Sequence, residues 1–232
     1  EHSQLMASRS RSNVGADGDG AEAPPGCPLC SRLSAFLAEA RTKEPTWHNN
    51  PVRSFGPEKA RLLIVGLAPG LRGANRTGRP FTGDFAGDLL YATLSAYGFS
   101  RGTFAARPDD GLELVDCMVT NAVRCVPPEN KPTPAEINTC RRFLSARIEA
   151  MAKLRTIVCL GRIAHDSTLS ALGCRKSQFP FAHGAAHPVR SGLTVFDSYH
   201  CSRYNTNTGV LTPDMFRAVF AAVRAHLDKA GV

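Results

Sequence analysis

The chain has 232 residues, of which 43% are hydrophobic, yet no apolar run approaches the roughly 20 residues that a membrane-spanning helix needs. Its formal net charge of +8 favours association with a polyanion, although charge alone does not identify one. No segment has the pattern of a secretory signal, so we expect a soluble, cytoplasmic protein without membrane contacts. Eight cysteines in that compartment argue against a disulfide framework and favour a metal or cluster site.

The first 26 residues are rich in Ser, Gly, Ala, Asp and Arg and contain few large apolar side chains. Such a segment cannot bury enough surface to offset the entropy lost on ordering, so we predict a disordered tail over residues 1 to 26. Residues 27 to 232 have the size and apolar content of one domain, without internal repeats.

Strand-like and helix-like segments alternate along this domain. We predict helices over residues 31–42, 84–97, 134–154, 162–172 and 213–229. We predict buried strands over residues 61–67, 114–120, 156–160 and 193–198. The helix beginning at Pro134 has a capping box formed by Thr133 and Glu136. The alternation predicts a three-layer α/β/α fold around a short, mainly four-stranded parallel sheet.

Ligands of open parallel sheets bind beyond the carboxyl ends of the strands. Here those ends carry a Gly/Pro loop at 66–70, Asn121 and His200. The loop continues as a glycine-rich segment to residue 87, without the Gly-Lys-Ser/Thr triplet of a Walker loop. Phe81 and Asp84 lie within this segment. Core packing and helix capping are the plain alternatives for these two residues.

Four motifs occur in a characteristic order: Gly-Leu-Ala-Pro-Gly at 66–70, Asn-Arg-Thr-Gly-Arg-Pro-Phe-Thr-Gly-Asp at 75–84, Asn-Ala-Val-Arg-Cys at 121–125, and His-Cys-Ser at 200–202 followed by Asn-Thr-Gly. This order resembles the iron-sulfur uracil-DNA glycosylases, and is most similar to their type-b branch, family 5. The resemblance implies a DNA-repair enzyme that flips uracil, and also hypoxanthine or other deaminated bases, out of DNA and hydrolyses the N-glycosidic bond. We expect a monomer, and a monofunctional enzyme because no lysine stands at a strand end to form a Schiff base.

The resemblance also implies a role for each matching residue. Phe81 would stack on the flipped base, and Asn121 would read its Watson–Crick edge. His200 would contact the base O2 as negative charge develops there, and Asp84 would be the catalytic carboxylate. Breaking this bond creates a cationic sugar and an anionic base, which suits a carboxylate and a donor on opposite sides. The other histidines of the domain, His165 among them, lack this context and are expected to be structural.

The loop after the first strand would form the rest of the base pocket. Its residues are Gly66, Leu67, Ala68, Pro69 and Gly70. Related family 4 enzymes have an acidic residue where this chain has Leu67, which leaves Asp84 as the nearest acid and would make the pocket less selective. After the histidine the family usually has proline, where this chain has Cys201.

Four cysteines form two pairs: Cys27 with Cys30, and Cys125 with Cys140. The resemblance implies that they hold a structural [4Fe-4S] cluster, whereas the spacing alone also suits zinc. The segment Ser202, Arg203, Tyr204 and Asn205 has a composition that fits phosphate contacts and DNA binding, although a solvated turn has a similar composition.

Two other functions remain open. A DNA-binding cluster protein without catalysis would explain the charge and the cysteines, but not Phe81, Asp84, Asn121 and His200. A related branch bonds covalently to uracil-containing DNA through a histidine in a basic loop, whereas residues 67 to 83 contain no histidine.

Overall fold

The computed structural model of the chain describes residues 20 to 231. Its helices are α1 Ser31–Lys43, α2 Ala74–Thr77, α3 Phe85–Ala96, α4 Pro134–Ala150, α5 Arg162–Ala171, α6 Arg203–Asn207 and α7 Pro213–Lys229. Its strands are β1 Leu62–Gly66, β2 Ser100–Arg101, β3 Glu113–Leu114, β4 Cys117–Asn121, β5 Thr156–Leu160, β6 Ala186–Arg190 and β7 Leu193–Ser198. None of the helices within this range is long and apolar enough to cross a bilayer.

The central sheet has the strand order β4-β1-β5-β7-β6. The first four strands are parallel, and β6 pairs antiparallel with β7 at one edge. The predicted fold class and its four parallel strands are therefore confirmed, and the structure adds an edge strand. The sequence hides β6 because it contains Pro188, which cannot donate a ladder hydrogen bond and is tolerated at a sheet edge.

Alternating side chains of the sheet supply two cores. Leu62 and Ile64 of β1 face the core that α3 and α7 cover, whereas Leu63 and Val65 face the core on the side of α4 and α5. Because both faces of β1, β4 and β5 are covered, every residue of these strands is buried. This arrangement is the predicted three-layer α/β/α fold.

The predicted strand over residues 114–120 is two strands. Asp116 has a φ of +53°, which interrupts the extended backbone between β3 and β4. Its carboxylate accepts hydrogen bonds from the backbone N–H and the Nε of Arg61, both at 2.8 Å. The break therefore ties β4 to the start of β1, and β3 pairs instead with β2.

The ordered domain begins earlier than predicted. Ala21 and Ala23 are buried, and Glu22 is 7% exposed. Glu22 forms ion pairs with Arg124 and Arg147, the latter at 2.8 Å. The predicted tail boundary at residue 26 is thus corrected, because composition does not reveal that one carboxylate has two buried arginine partners. Residues 1 to 19 of the predicted tail lie outside the described residues.

Candidate active site

The carboxyl ends of the parallel strands bring the predicted site residues together. Gly66 at the end of β1 is directly paired with Asn121 at the end of β4. His200 follows β7, and its ring centroid lies 6.1 Å from that of Phe81, with 27° between the two ring planes. The loops after β1, β4 and β7 therefore converge on one edge of the sheet, as the parallel topology predicts.

Gly66 forms the floor of this site because it has no side chain. A Cβ atom placed there would lie 2.4 Å from Cζ of Phe81 and 2.5 Å from Oδ1 of Asn121. Both distances are far below van der Waals contact, so any larger residue would displace the ring or the amide. The glycine allows an aromatic face and an amide to approach the same small space.

Asn121 has an unsatisfied polar atom. The residue is 3% exposed, and its Oδ1 has no hydrogen-bond partner among residues 20 to 231. Leaving a buried acceptor unpaired costs about 1–3 kcal/mol, so buried polar atoms in folded proteins nearly always have partners. This atom borders the space over Gly66, which the ring of Phe81 also borders.

Asp84 uses one of its two carboxylate oxygens to cap a helix. As the N-cap of α3 its Oδ1 accepts a hydrogen bond from the backbone N–H of Gly87 at 3.2 Å. Its Oδ2 lies over Gly73, where a Cβ would be only 2.4 Å away. Burial raises the pKa of Asp84, an effect that the Gly87 N–H opposes and the nearby Asp88 reinforces. One oxygen caps the helix, and the other lies against Gly73.

His200 is a neutral side chain at physiological pH. Burial lowers the pKa of its imidazole to about 4. Its backbone carbonyl accepts a hydrogen bond from Nδ2 of Asn205 at 2.8 Å, which fixes the turn after β7. Cys201, which follows it, is fully buried and contacts the carbonyl of Ala86, so this residue packs under α3 and is not accessible from the surface.

An apolar cavity of about 370 Å³ adjoins His200. Leu67 lines it together with Phe181 and Tyr199, two aromatic residues that the sequence analysis did not select. Ala68 instead packs against the core around the cysteines, and Pro69 is buried. Of the predicted pocket loop, Leu67 therefore faces this cavity, whereas Ala68 supports the loop from behind.

The predicted DNA-binding segment is mostly a short helix. Ser202 is the N-cap of α6, and its Oγ accepts a hydrogen bond from the N–H of Asn205 at 3.2 Å. Tyr204 is 74% exposed, and the guanidinium of Arg203 lies 5.5 Å from the ring centroid of Phe85. Ser202 and Asn205 thus shape the turn, while Arg203 and Tyr204 remain accessible to a ligand.

The four paired cysteines line one small pocket beside Leu33 and Phe143. The backbone N–H of Arg124 donates to Sγ of Cys140 at 3.3 Å, the kind of N–H···S contact that supports a ligating sulfur. Four thiols around one small pocket are a donor set that fits a [4Fe-4S] cluster and also a zinc ion.

Three further polar residues form a separate buried group. Asp197 of β7 is fully buried and accepts hydrogen bonds from Nδ1 of His165 at 2.6 Å and from Nε2 of His187 at 2.9 Å. It also accepts the N–H of Ala182 at 3.3 Å. These contacts hold the segment that contributes Phe181 to the cavity, so the group supports the site without facing it.

Comparisons with known proteins agree with this geometry. Residues 53 to 224 match the family model described as the uracil DNA glycosylase superfamily. A type-5 uracil-DNA glycosylase of Thermus thermophilus is 46% identical over 199 residues, covering 83% of this chain and 90% of the relative. One from Mycobacterium tuberculosis is 39% identical over 203 residues, or 84% of this chain and 75% of its own. A type-4 enzyme of Archaeoglobus fulgidus is 39% identical over half of each chain. The chain belongs to the uracil DNA glycosylase superfamily.

Proposed function

We propose that this protein removes uracil from DNA by hydrolysing the N-glycosidic bond of a flipped nucleotide, and leaves an abasic site. The observation that carries the proposal is the convergence of an aromatic ring, an unpaired buried amide oxygen, a neutral imidazole and a carboxylate on one edge of the sheet. Relatives that cover most of the chain bear the name type-5 uracil-DNA glycosylase, which supports the same reaction.

Asn121 selects the base by its hydrogen-bonding pattern. Its unpaired Oδ1 accepts the N3–H of uracil, and its Nδ2 donates to the adjacent O4. Cytosine presents the opposite pattern, an acceptor at N3 and a donor at N4, so it would leave the buried amide unsatisfied. Phe81 stacks on the face of the extruded base, because its ring covers Gly66 next to the same amide.

His200 stabilises the leaving base. When the bond between C1′ and N1 breaks, its electron pair stays with the base, and negative charge spreads to O2. A neutral imidazole has one N–H that donates to this oxygen, and the lowered pKa of His200 keeps the ring in that form at the working pH. The donor is held ready by the turn that Asn205 fixes.

Asp84 acts on the sugar side. The electron-deficient C1′ is stabilised by a nearby carboxylate, which also orients the water whose oxygen bonds to C1′ and whose proton is released. The helix cap leaves Oδ2 available for this task, since the hydrogen bond from Gly87 occupies Oδ1. Gly73 provides the room for that oxygen.

The proposed substrates include hypoxanthine and other deaminated bases. Hypoxanthine presents an N–H beside a carbonyl oxygen on its Watson–Crick edge, the same order that uracil offers to Asn121. Leu67 places an apolar wall beside His200 and adds no charge that would exclude a larger ring. Deaminated bases pair poorly with their old partners, so they are also less costly to extrude.

We propose that Cys27, Cys30, Cys125 and Cys140 hold a [4Fe-4S] cluster with a structural role. When bound, the cluster would supply a rigid cross-link between the N-terminal segment, the end of β4 and α4. Burial raises the pKa of Cys125 to about 12 and that of Cys140 to about 11, so these thiols ionise only when a cationic centre compensates. Iron and sulfide analysis of the purified protein tests this assignment against zinc.

Asp84→Asn separates the two roles of this residue. Asparagine caps helices as well as aspartate does, so α3 should keep its stability while the carboxylate charge is lost. We expect uracil excision from a labelled U·G duplex to fall by about 100-fold or more, with unchanged DNA affinity. Asp88→Asn is the matched control, because Asp88 is an exposed acid in the first turn of the same helix.

The same assay separates the proposed function from its alternatives. Strand breakage by alkali after incubation reveals abasic sites and supports glycosylase action. A band that stays shifted on a denaturing gel would indicate covalent capture of DNA instead. Binding without either outcome, across uracil, hypoxanthine and xanthine substrates, would contradict the proposal and leave a non-catalytic DNA-binding protein. Full activity of Asp84→Asn would reject the site.

A further inference from the structure

Phe81 has a backbone conformation that bulky residues rarely adopt. Its φ is +51°, in the left-handed region. Of the six non-glycine residues with positive φ in the described part of the chain, it is the one with an aromatic side chain. A conformation of this kind persists only where surrounding contacts determine it, and such positions cluster at functional sites.

The peptide carbonyls on both sides of Phe81 are fixed by buried hydroxyl groups. Oη of Tyr91 donates to the carbonyl of Pro80 at 2.6 Å, and Oγ1 of Thr82 donates to the same oxygen at 3.1 Å. Oγ1 of Thr77 donates to the carbonyl of Thr82 at 2.8 Å. Three hydroxyls therefore hold the backbone in which Phe81 is the central residue.

Arg79 connects this turn to a second loop. Its Nε donates to Oγ1 of Thr82 at 2.8 Å, and its two terminal nitrogens donate to the two oxygens of Asp110, each at 2.8 Å. The side chains of Arg79 and Asp110 are 6% and 1% exposed. Asp110 also accepts the N–H groups of Ala105 and Leu112. The hydrogen bonds from Arg79 hold the pKa of Asp110 well below its usual range, so the pair stays charged at any working pH.

Aromatic rings enclose the guanidinium of Arg79. It lies 5.1 Å from the ring centroid of Phe55 and 5.7 Å from those of Tyr91 and Phe104. A cation surrounded by ring faces is attracted to each of them and has little freedom to move. The Arg79–Asp110 pair is therefore held rigidly, and through Thr82 it contacts the turn that contains Phe81.

We propose that Tyr91, Thr82 and the Arg79–Asp110 pair are positioning residues that hold Phe81 in its left-handed conformation and thereby place its ring for stacking on the flipped base. The inference rests on the proposed function, in which Phe81 binds the base. None of the four residues is assigned a contact with substrate. Because the ring and the amide of Asn121 share the space above Gly66, a small rotation of Phe81 would narrow the space left for the base.

Removing single hydroxyl groups tests the positioning role. Tyr91→Phe and Thr82→Val each delete one hydroxyl at nearly constant volume. We expect the single-turnover rate of uracil excision to fall about tenfold to a hundredfold, as misplacement by about an ångström can produce, with DNA affinity unchanged. Thr82→Ser keeps the hydroxyl and should restore most of the rate. Tyr97→Phe, at the end of the same helix, should match the wild type.

A double-mutant cycle distinguishes positioning from general stabilisation. If Tyr91 acts through Phe81, then Tyr91→Phe should cause no further loss of rate in a Phe81→Ala background. Equal losses in both backgrounds would overturn the proposal, as would wild-type rates for both Tyr91→Phe and Thr82→Val.

A measurement independent of activity completes the test. Backbone carbon chemical shifts of Phe81, recorded by NMR on protein labelled at phenylalanine, report its φ and ψ. We expect them to leave the left-handed range in Tyr91→Phe and to keep it in Tyr97→Phe. Unchanged shifts would overturn the positioning role even if the wild type excised no base. If the wild type excises uracil and Tyr91→Phe and Thr82→Val are fully active, the positioning role is rejected while the proposed function stands.

Discussion

Two buried polar groups, one in β7 and one at the end of β4, differ in whether their hydrogen bonds are satisfied. Asp197 in β7 is fully buried, and its oxygens accept hydrogen bonds from two histidines and one backbone N–H. Asn121 at the end of β4 is nearly as buried, yet its Oδ1 has no partner among residues 20 to 231. The satisfied group supports the fold, whereas the unsatisfied one is arranged for a ligand.

The contact between His165 and Asp197 is also an ion pair. Nδ1 of His165 contacts a carboxylate oxygen, and its Nε2 contacts the carbonyl of Phe179 at 2.9 Å. Two acceptors require two donors, so this ring is an imidazolium paired with the carboxylate. Burial alone would lower the pKa of His165, but the hydrogen bond and charge of Asp197 outweigh it and raise the pKa. The ion pair fixes β7 just before His200.

The largest expected effect is on stability. Asp197→Asn removes the carboxylate and leaves the buried imidazolium of His165 without its counter-charge, which typically costs about 3–5 kcal/mol. We expect a loss of this size in the free energy of unfolding measured by denaturant titration. A double variant, Asp197→Asn with His165→Gln, should recover part of it because no buried charge remains. A loss below about 1 kcal/mol would mean that the contacts of Asp197 do not stabilise the fold.

Asn121→Leu should produce the opposite combination. Leucine has the same branched shape and removes the unpaired oxygen, so the free energy of unfolding should stay level or rise. Uracil excision should fall by about 100- to 1,000-fold, the cost of losing one well-placed hydrogen-bonding group in an active site. Single-turnover kinetics and thermal melting of the same preparation measure both. If Asn121→Leu is less stable than the wild type and still active, then Asn121 supports the fold and does not bind the base.

The strand ends were the predictable part of the site. Parallel strands place their carboxyl ends at one edge, so Gly66, Asn121 and His200 could be grouped from the sequence before any distance was known. Helix boundaries marked by capping residues were also close, as at Pro134. The resemblance supplied the roles of Phe81 and Asp84, which the residues alone left open between packing, capping and chemistry.

What could not be predicted depends on pairings far apart along the chain. The burial of Glu22 depends on Arg124 and Arg147, which lie more than a hundred residues away. Nothing in the sequence distinguishes Arg79 from the other arginines, whereas in the structure it is surrounded by Asp110 and three aromatic rings. No local pattern encodes such contacts. They arise only when the loops after different strands meet.

His165 and His200 should give opposite pH dependences of stability. The raised pKa of His165 means that the folded state binds a proton that the unfolded state has lost, so its contribution is complete below about pH 6.5 and disappears as the pH rises. The lowered pKa of His200 means that the unfolded state binds a proton that the folded state does not bind. Its contribution to stability is therefore complete above about pH 6.5 and is lost as the pH falls toward about 4.

Comparison of the wild type with His165→Gln and His200→Gln isolates each contribution. The quantity to follow is the unfolding free energy of the wild type minus that of the variant. It should decrease as the pH rises for His165→Gln and increase as the pH rises for His200→Gln, by at most about 1.4 kcal/mol per pH unit. Denaturant titrations between pH 4.5 and 9 measure both slopes. Slopes of the same sign would show that one of the two protonation states is wrong.

The smallest expected effect concerns Arg203, which is exposed at the start of α6 on the side of the strand ends. If it contacts a phosphate, Arg203→Ala should reduce the slope of log K against log salt concentration by about 0.9 and weaken binding equally for uracil-containing and normal duplexes. The excision rate at saturating enzyme should not change, because a phosphate contact carries no information about the base. Arg190→Ala is the matched control, since Arg190 is exposed at the end of β6, where it pairs with Leu193 at the start of β7. If both variants keep the wild-type slope of log K against log salt concentration, Arg203 does not contact a phosphate. DNA would then bind to a surface other than that of α6.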